Sequence, residues 1–359
     1  MSERAEVVVI GGGQAGLAAG YYLRRAELDF VILDRQDHPG GAWQHGWDSL
    51  RLFSPAEYSP LPGWRMPHQE GETFPTAGHV VKYLHDYEQR YELPVRRPIQ
   101  VSGVRANDRG LNIETDHGNW HTAFVISATG TWDTPFVPAY PGIAEFTGEQ
   151  LHTVDYSSPE RFRGRRVLIV GGGNSAAQIV AEVSMVAETT WATLRPPRFM
   201  PDDVDGRVLF DVATKREVAR KTGASAARVS GLGDIVMVPS VRAARNRSVL
   251  HPRPMFDRLT GEGVAWDDGV AASYDAIIWC TGFRPTLDHL GPLGLSRKNG
   301  VPRTIGTRSV DESRLHLLGY GDFTGFASAT LIGAGRTAKD AVRDITSRLP
   351  PTGRGSQNP

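Results

Sequence analysis

Two glycine-rich turns are the residues of this 359-residue chain whose types and spacing point most directly to chemistry. They read Gly11-x-Gly13-x-x-Gly16 after the apolar run "EVVVI", and Gly171-x-Gly173-x-x-Ala176 after "RRVLIV". In a turn of this spacing, the first glycine permits the tight bend and the second lets backbone N–H groups approach a pyrophosphate. The third small residue lets the following helix pack on the strand. The sequence therefore predicts two dinucleotide sites in one chain.

The residue that follows the next strand differs between the two units. Asp34 ends "FVILD", whereas "TTWATLRPPR" has no acid at its end and instead carries Arg195 and Arg198. An acid at this place accepts hydrogen bonds from a ribose hydroxyl, and a guanidinium suits a 2′-phosphate. We therefore predict FAD at the first turn and NAD(P)H at the second, where Asn174 and Ser175 open the helix. The alternative for Arg195 is that it only covers the surface.

The strands and helices that must position these turns alternate along the chain. Apolar, β-branched runs of about five residues are followed by helical patterns at about Gln14 to Arg25 and Asn174 to Ala187. Continuous apolar strands separated by helices indicate parallel sheets that are buried on both faces. The predicted fold class is α/β, with two Rossmann-like dinucleotide-binding domains and the NAD(P)-binding domain inserted into the FAD-binding domain. We place the FAD domain at 1–157 and 275–348, the NAD(P)H domain at 158–274 and a disordered tail at 349–359, with a basic helix near 214–228.

Composition limits the classes of partner. Lys and Arg together number 40, as do Asp and Glu, so no charge bias favours a nucleic acid or an anionic membrane. No run approaches the roughly 20 apolar residues of a membrane span, and no signal-peptide core follows the N-terminus, so a cytoplasmic protein is expected. "DDVDG" at 202–206 fails the calcium-loop pattern, and no metal is predicted. Small molecules are therefore the expected partners.

A further pattern lies just before the second turn. "FTGEQLHTVDY" contains Phe146-x-Gly148-x-x-x-His152-x-x-x-Tyr156, which resembles the fingerprint of flavin-containing monooxygenases; its final Tyr differs from the Trp of the related Baeyer–Villiger fingerprint. "PGGAWQHGWDSLRLFSP", "VISATGTW", "IIWCTGFRP" and "GYGDFTGFASATLIG" extend the resemblance over nearly the whole chain. The chain thus resembles short bacterial flavin monooxygenases, which include the type encoded in arsenic-resistance operons. The resemblance implies FAD in the first domain, a nicotinamide dinucleotide in the second and, as a family expectation, a homodimer.

Carried over by position, the resemblance places Gly40, Gly41 and Trp43 along the flavin and Asp322 at a ribityl hydroxyl. Each residue has a structural alternative: the glycines as a turn, Trp43 as a core aromatic and Asp322 as the N-cap of the last helix. Larger relatives place an asparagine near the flavin where this chain has Phe53 and Ser54, which makes these two the flavin-proximal candidates. No catalytic side chain is assigned, because the cofactor carries the hard chemistry. His152 is expected to be structural or to face the NAD(P) side.

The implied reaction is oxygen transfer. NAD(P)H reduces the flavin, the reduced flavin traps O₂ as a C4a-hydroperoxide, and one oxygen atom passes to a sulfide, an amine or a ketone. An NAD(P)H oxidase that makes hydrogen peroxide and a non-enzymatic flavin redox sensor stay open as alternatives. A flavin disulfide reductase is excluded, because Cys280 is the only cysteine and no redox pair can form.

The resemblance also bears on the coenzyme. Larger relatives bind the 2′-phosphate with an adjacent Arg and Thr, and the positions that correspond here are Leu194 and Arg195. One arginine without its partner predicts that NADPH is preferred and NADH is accepted.

Overall fold

The computed structural model describes residues 2–202, 234–325 and 327–350. Its helices within these ranges are α1 (Gln14–Arg25), α2 (Ala77–Arg90), α3 (Asn174–Val183), α4 (Pro239–Asn246) and α5 (Leu331–Arg348). Short 3₁₀ turns lie at Gly41–His45, Ala56–Tyr58, Thr153–Asp155, Pro159–Phe162, Asp288–Leu293 and Asp322–Thr324.

A nine-stranded sheet carries the first glycine turn, and we call this part of the molecule the first lobe. Its strands are β1 (Ser2–Ile10), β2 (Phe30–Leu33), β3 (Val95–Arg96), β4 (Val101–Asn107), β5 (Gly110–Thr115), β6 (Gly118–Ser127), β17 (Thr304–Ile305), β18 (Arg308–Ser309) and β19 (Leu315–Leu317). The path β19-β6-β1-β2-β3 is parallel throughout, and β4–β5 and β17–β18 add antiparallel margins.

The continuous apolar run in the second half of β1, Val7 to Ile10, follows from burial on both faces. Val7 and Val9 belong to the core that contains residues of α1, α2 and α5, whereas Val8 and Ile10 belong to the core formed with β4 and β5. Successive strand residues point to opposite faces of the sheet. Where both faces are covered, neither set of side chains meets water, and apolar residues do not alternate with polar ones.

A second, wholly parallel sheet carries the second glycine turn, and we call this part the second lobe. It contains β7 (Glu149–His152), β8 (Arg166–Val170), β9 (Glu188–Thr193), β10 (Pro252–Pro254) and β14 (Ala276–Trp279), in the order β10-β9-β8-β14-β7. Beside the two large sheets, β11 (Arg258–Thr260), β12 (Gly263–Ala265) and β13 (Ala271–Ser273) form a small antiparallel sheet, and β15 (Arg297–Lys298) pairs with β16 (Val301–Pro302). The predicted fold class, two Rossmann-like units with one inserted into the other, is confirmed.

Strand pairing adds detail to the predicted division of the chain. The division at 157/158 and 274/275 separates β7 and β14 from the sheet in which both of them pair, with β14 next to β8. A buried parallel strand has the same apolar sequence in either sheet, so its own residues do not reveal which neighbours it will take.

Helix bounds agree closely in one unit and less in the other. α1 spans the predicted Gln14–Arg25, whereas α3 ends at Val183 rather than near Ala187 because Val186 and Ala187 already belong to a turn that leads into β9. The predicted basic helix at 214–228, residues 203–206 of "DDVDG" and tail residues 351–359 lie outside the described residues.

One extended segment of the first lobe packs into the second. Trp47 is 4% exposed and belongs to the apolar core built on β8 and α3, and Leu50 and Phe53 pack against the same core. Leu52, between them, lies in the core of the first lobe. We call residues 46–53 the bridging arm.

Candidate dinucleotide sites

Both glycine turns are built in the same way at their first residue. Gly11 has φ +106° and Gly171 has φ +139°, a conformation that L side chains rarely adopt. A Cβ on Gly11 would lie 2.5 Å from the carbonyl oxygen of Ala128, and a Cβ on Gly171 would lie 2.2 Å from that of Cys280. Because Ala128 follows β6 and Cys280 follows β14, each turn lies directly against the end of the neighbouring parallel strand, and only glycine fits.

The later turn positions distinguish packing from ligand approach. A Cβ on Gly16 would lie 1.9 Å from the carbonyl oxygen of Gly11, so α1 rests on its own turn, and the corresponding Ala176 is buried in the second lobe. A Cβ on Gly173 would meet nothing within 4 Å. No packing in the described part of the chain therefore requires glycine at 173, whereas the predicted approach of a pyrophosphate to the backbone would.

In the first lobe, Gly13 lies against the glycine pair Gly40–Gly41. A Cβ on Gly41 would lie 2.8 Å from the Cα of Gly13, and Gly41 itself has φ +54°. Gly40 has φ +122° and lies close to Val81 of α2, which a Cβ would approach to 3.0 Å. The pair is thus a turn, as its structural alternative held, and it also brings Gly41 to the first dinucleotide turn.

The first turn opens into a cavity of about 500 Å³. Among the predicted FAD residues, the following line it: Gly11, Gly13, Asp34, Gly41 and Trp43. Residues from five other segments complete the wall, including Ile99 to Ser102, Thr129 to Thr134, Asp288 with His289, Gly319, and Ala329. The cavity lies at the carboxyl ends of parallel strands, the place where open α/β sheets bind nucleotides.

Asp34 is held by an arginine that the sequence analysis did not identify. Asp34 is 4% exposed, and its Oδ2 accepts a hydrogen bond from Nε of Arg97 at 2.7 Å. Nη1 of Arg97 also donates to Oε1 of Glu88 at 2.8 Å. A Cβ on Gly12 would lie 2.5 Å from Asp34 Oδ2, which explains why the middle residue of the turn is also glycine. The guanidinium pairs with the buried carboxylate of Asp34 and the partly buried one of Glu88, and it fixes the Asp34 side chain beside the cavity.

Trp43 is fixed across the turn by a side-chain amide. Its indole Nε1 donates to Oε1 of Gln14 at 2.9 Å, and Nε2 of Gln14 donates to the carbonyl oxygen of Ala329 at 2.6 Å. Trp43, Gln14 and Ala329 all line the cavity. The first residue of α1 therefore connects the tryptophan to the segment that leads into α5.

Asp322, Phe53 and Ser54 are not among the residues that line this cavity. Asp322 begins a 3₁₀ turn, and the N-cap of the last helix is Thr330, whose side chain accepts from the backbone N–H of Gly333, so the N-cap alternative for Asp322 is wrong. Phe53 packs against the core of the second lobe, and the hydroxyl of buried Ser54 pairs with that of Ser59 at 2.9 Å.

At the second turn, the side-chain amide of Asn174 is hydrogen-bonded to backbone groups. Its Oδ1 accepts from the N–H of Val236 at 2.8 Å, and its Nδ2 donates to the carbonyl oxygen of Asp234 at 3.3 Å. The next residue, Ser175, is partly exposed at the first turn of α3. The Asn174 side chain thus holds the segment that precedes α4, and Ser175 is the side chain left near the helix N-terminus.

The two arginines after β9 have different environments. Arg198 donates to the buried carboxylate of Asp234, with Nε at 2.8 Å and Nη2 at 2.7 Å from Oδ1. Arg195 is exposed and makes no ion pair with any other residue in the described part of the chain, and its neighbour Leu194 is 82% exposed. The carbonyl oxygen of Arg195 would lie 3.8 Å from a Cβ on Gly172. Among the described residues, Arg195 is therefore the guanidinium at the second turn that has no ionic partner.

The fingerprint residues are explained by packing. A Cβ on Gly148 would lie 2.4 Å from the ring of buried Phe146, so the pair requires glycine. Nε2 of His152 lies 3.0 Å from the carbonyl oxygen of Gly282, and its Nδ1 accepts from the N–H of Val154 at 3.3 Å. Burial lowers the pKa of His152, which keeps the ring neutral with its hydrogen on Nε2. Both nitrogens are occupied, which supports a structural role.

A buried hydroxyl network behind the cavity was not found from the sequence. Oγ of Ser127 lies 3.0 Å from Nε2 of His289 and 2.5 Å from the hydroxyl of Tyr320, which also meets Oγ1 of Thr129 at 2.7 Å. Burial lowers the pKa of His289 to about 4. His289 and Thr129 line the cavity, so the network fixes two of its walls. No local signal marks these residues, which come from three distant segments.

The residues at both turns fit dinucleotides. The glycine turns leave room for a pyrophosphate, and a helix N-terminus faces each turn. The first lobe supplies a buried carboxylate, and the second supplies an exposed guanidinium. In the described residues, no group of three or more His, Cys, Asp or Glu side chains could hold a metal ion. None of the described helices is long and apolar enough to cross a bilayer.

Comparison with known proteins shows which family has this sequence and fold. The family model of the pyridine nucleotide-disulphide oxidoreductases matches residues 8–208. A flavin-containing monooxygenase from Stenotrophomonas maltophilia is 49% identical, with a TM-score of 0.88, over 96% of this chain and 99% of that one. An uncharacterized oxidoreductase of Bacillus subtilis (strain 168), CzcO, is 30% identical over 95% of this chain and 99% of that protein. Cyclohexanone monooxygenase, at 17% identity and a TM-score of 0.68 over 97% of this chain and 86% of that one, shares the fold.

Fold and site together define a two-dinucleotide flavoprotein oxidoreductase. The chain belongs to the pyridine nucleotide-disulphide oxidoreductase family, and within it to the short bacterial flavin-containing monooxygenases. It is an NAD(P)H-dependent flavin monooxygenase whose cofactors are FAD and NAD(P)H. The predictions of family, enzyme class and cofactors are confirmed.

Proposed function

We propose that this enzyme transfers one oxygen atom from O₂ to a soft nucleophile, such as a sulfide or an amine, or to a ketone. The net reaction consumes NAD(P)H, a proton, O₂ and the substrate, and it yields NAD(P)⁺, water and the oxygenated product. When bound, FAD supplies hydride acceptance from NAD(P)H and the activation of O₂.

One observation carries this proposal: the same turn occurs twice, with different side chains at the end of the next strand. Asp34 suits the ribose of FAD at the first turn, and Arg195 suits a phosphorylated coenzyme at the second. Two dinucleotide sites in one chain support electron transfer between them. Because Cys280 is the only cysteine, the chain has no internal disulfide that could accept these electrons, and an external acceptor such as O₂ is required.

We assign the cofactors accordingly. The FAD residues are Gly11, Gly13, Gly16, Asp34, Gly40, Gly41 and Trp43, and the NAD(P)H residues are Gly171, Gly173, Asn174, Ser175 and Arg195. For Asn174 the assignment is indirect, because its amide holds backbone residues 234–236 near the turn. Asp322, Phe53 and Ser54 stay predictions.

What the protein contributes is position and exclusion of water. Arg97 fixes Asp34, Gln14 fixes Trp43, and the network of Ser127, His289 and Tyr320 holds the wall behind the cavity. A water-poor, fixed environment favours oxygen transfer over the release of hydrogen peroxide.

The range of substrates is tested by oxygen uptake. We expect NADPH-driven uptake to rise when a thioether, an amine, a cyclic ketone or an arsenite is a substrate, with oxygenated product equal to the extra NADPH consumed. A relative from Arabidopsis thaliana named "Probable indole-3-pyruvate monooxygenase YUCCA8", 25% identical over 95% of this chain and 88% of that protein, adds an oxo acid to the panel. Catalase is the control, since it returns oxygen only where hydrogen peroxide is released. Equal NADPH consumption with and without every candidate, with stoichiometric hydrogen peroxide, would favour the oxidase alternative.

A further inference from the structure

The last fingerprint residue, Tyr156, points to a contact between the lobes. Tyr156 is 3% exposed, and its hydroxyl donates to Oε2 of Glu182 at 2.9 Å. Its ring stacks on that of Phe162, with 6.1 Å between the ring centroids, and it meets the Trp47 ring edge-on, with 5.9 Å between the centroids. Burial and the nearby Glu182 carboxylate raise the pKa of Tyr156, so the hydroxyl keeps its proton and stays a donor.

The same carboxylate also binds the bridging arm. Oε1 of Glu182 accepts the hydroxyl of Ser49, so one glutamate joins Tyr156 on one side and the arm on the other. The arm is in turn bound to the first lobe, since the N–H of Leu52 donates to Pro75 and that of Ala77 donates to Leu50. Through Glu182, helix α3 of the second lobe is thus hydrogen-bonded to the arm of the first lobe.

The position of Glu182 on its helix gives this contact a consequence for the coenzyme. α3 begins at Asn174, at the second glycine turn, and Glu182 lies eight residues later on the same helix. At 1.5 Å of rise per residue the two are about 12 Å apart along a rigid element. Fixing Glu182 to the arm therefore fixes where the N-terminus of α3, and any pyrophosphate on it, lies relative to the first lobe.

We propose that Glu182 is a positioning residue that, by accepting the hydroxyls of Tyr156 and Ser49 together, sets the NAD(P)H turn against the flavin lobe for hydride transfer. The inference rests on the two cofactor assignments and extends them to the relation between the lobes. Hydride transfer demands a near-attack geometry, in which a misplacement of 1 Å can cost about a hundredfold in rate.

Three substitutions remove the contact piece by piece: Tyr156→Phe, Ser49→Ala and Glu182→Ala. Tyr87→Phe is the matched control, because its buried hydroxyl donates to the carbonyl oxygen of Pro62 within the first lobe. We expect the anaerobic rate constant of flavin reduction by saturating NADPH to fall about tenfold in Tyr156→Phe and in Ser49→Ala. The FAD content and the NADPH Kd should change less than twofold. The double variant that combines Tyr156→Phe with Ser49→Ala should be no slower than Glu182→Ala, since both hydroxyls act through one carboxylate. Glu182→Gln should be reduced faster than Glu182→Ala.

A second readout does not depend on turnover. Hydrogen–deuterium exchange of the FAD-bound protein without NADPH should rise at residues 46–53 in Tyr156→Phe, Ser49→Ala and Glu182→Ala, and stay at the wild-type level in Tyr87→Phe. Wild-type reduction rates in Tyr156→Phe and Ser49→Ala would overturn the proposal, as would strictly additive losses. Parallel losses of FAD content and NADPH affinity would also overturn it, because they indicate general destabilisation. A wild-type protein that NADPH does not reduce would refute the proposed function instead, and the exchange readout would then stand alone.

Discussion

At the scale of single residues, the cofactor sites depend on side chains whose partners determine their use. Asp34 and Arg195 both follow the second strand of their units, yet Asp34 is bound to Arg97 inside the protein whereas Arg195 is exposed. Arg198, three residues later, is already paired with Asp234. Of these two arginines, only Arg195 has no ionic partner among the described residues, and it is the one that we propose for the 2′-phosphate.

This difference predicts the effect of one substitution on coenzyme choice. In Arg195→Ala, we expect the KM for NADPH to rise about tenfold and the KM for NADH to change little, because only NADPH carries the phosphate that the guanidinium would bind. Steady-state kinetics with both coenzymes measure this. Arg343→Ala, which removes an exposed arginine paired with Asp340 on α5, is the control and should change neither KM. An unchanged NADPH KM in Arg195→Ala would remove Arg195 from the site.

At the scale of elements, each βαβ unit places a helix N-terminus at the end of a parallel sheet, and the glycine turn determines how close the ligand can come. Gly171 and Gly173 of the second turn are glycine for different reasons. Gly171 lies against the carbonyl of Cys280 with φ +139°, and Gly173 has open space above it. Packing therefore requires glycine at 171, and the proposed approach of the ligand would require it at 173.

A pair of alanine substitutions separates these roles. Gly171→Ala places a Cβ 2.2 Å from a carbonyl oxygen in strained backbone, and we expect it to destabilise the folded protein by several kcal/mol, about 3 or more. Gly173→Ala should leave the melting temperature within about 2 °C and weaken NADPH binding at least tenfold. Thermal melts and coenzyme titrations check both. A Gly173→Ala protein that binds NADPH normally would mean that the pyrophosphate does not approach this residue.

At the scale of the whole molecule, burial of titratable side chains makes stability depend on pH. The pKa of His289 falls to about 4 by burial, below the ordinary value of about 6.5 that it regains on unfolding. Between pH 6.5 and 4 the unfolded chain binds the proton that the folded chain refuses, so stability falls as the pH falls through this window. Burial lowers the pKa of His152 in the same direction.

Removal of His289 should reduce this acid sensitivity. One proton per molecule corresponds to a slope of about 1.4 kcal/mol per pH unit, so His289→Asn should lower the slope of unfolding free energy between pH 6 and 5 by up to about that amount. The variant loses stability at neutral pH as well, because Ser127 loses a partner, but the slope is independent of this loss. Urea unfolding at several pH values measures it. His68→Asn, at an exposed position, should leave the slope unchanged.

Much of the architecture was predictable from the sequence alone. The two glycine turns, Asp34, the buried parallel strands and the bounds of α1 follow from turn geometry and apolar periodicity, which depend on residues close together along the chain. The tertiary structure alone decided that Arg97 binds Asp34 from 63 residues away, that Glu182 holds Ser49 from 133 residues away, and that β14 pairs in the second sheet. Such contacts carry no local signature, since they exist only once distant segments pack against each other. The positions of the turns are thus written in local sequence, and their mutual arrangement is set by packing between the lobes.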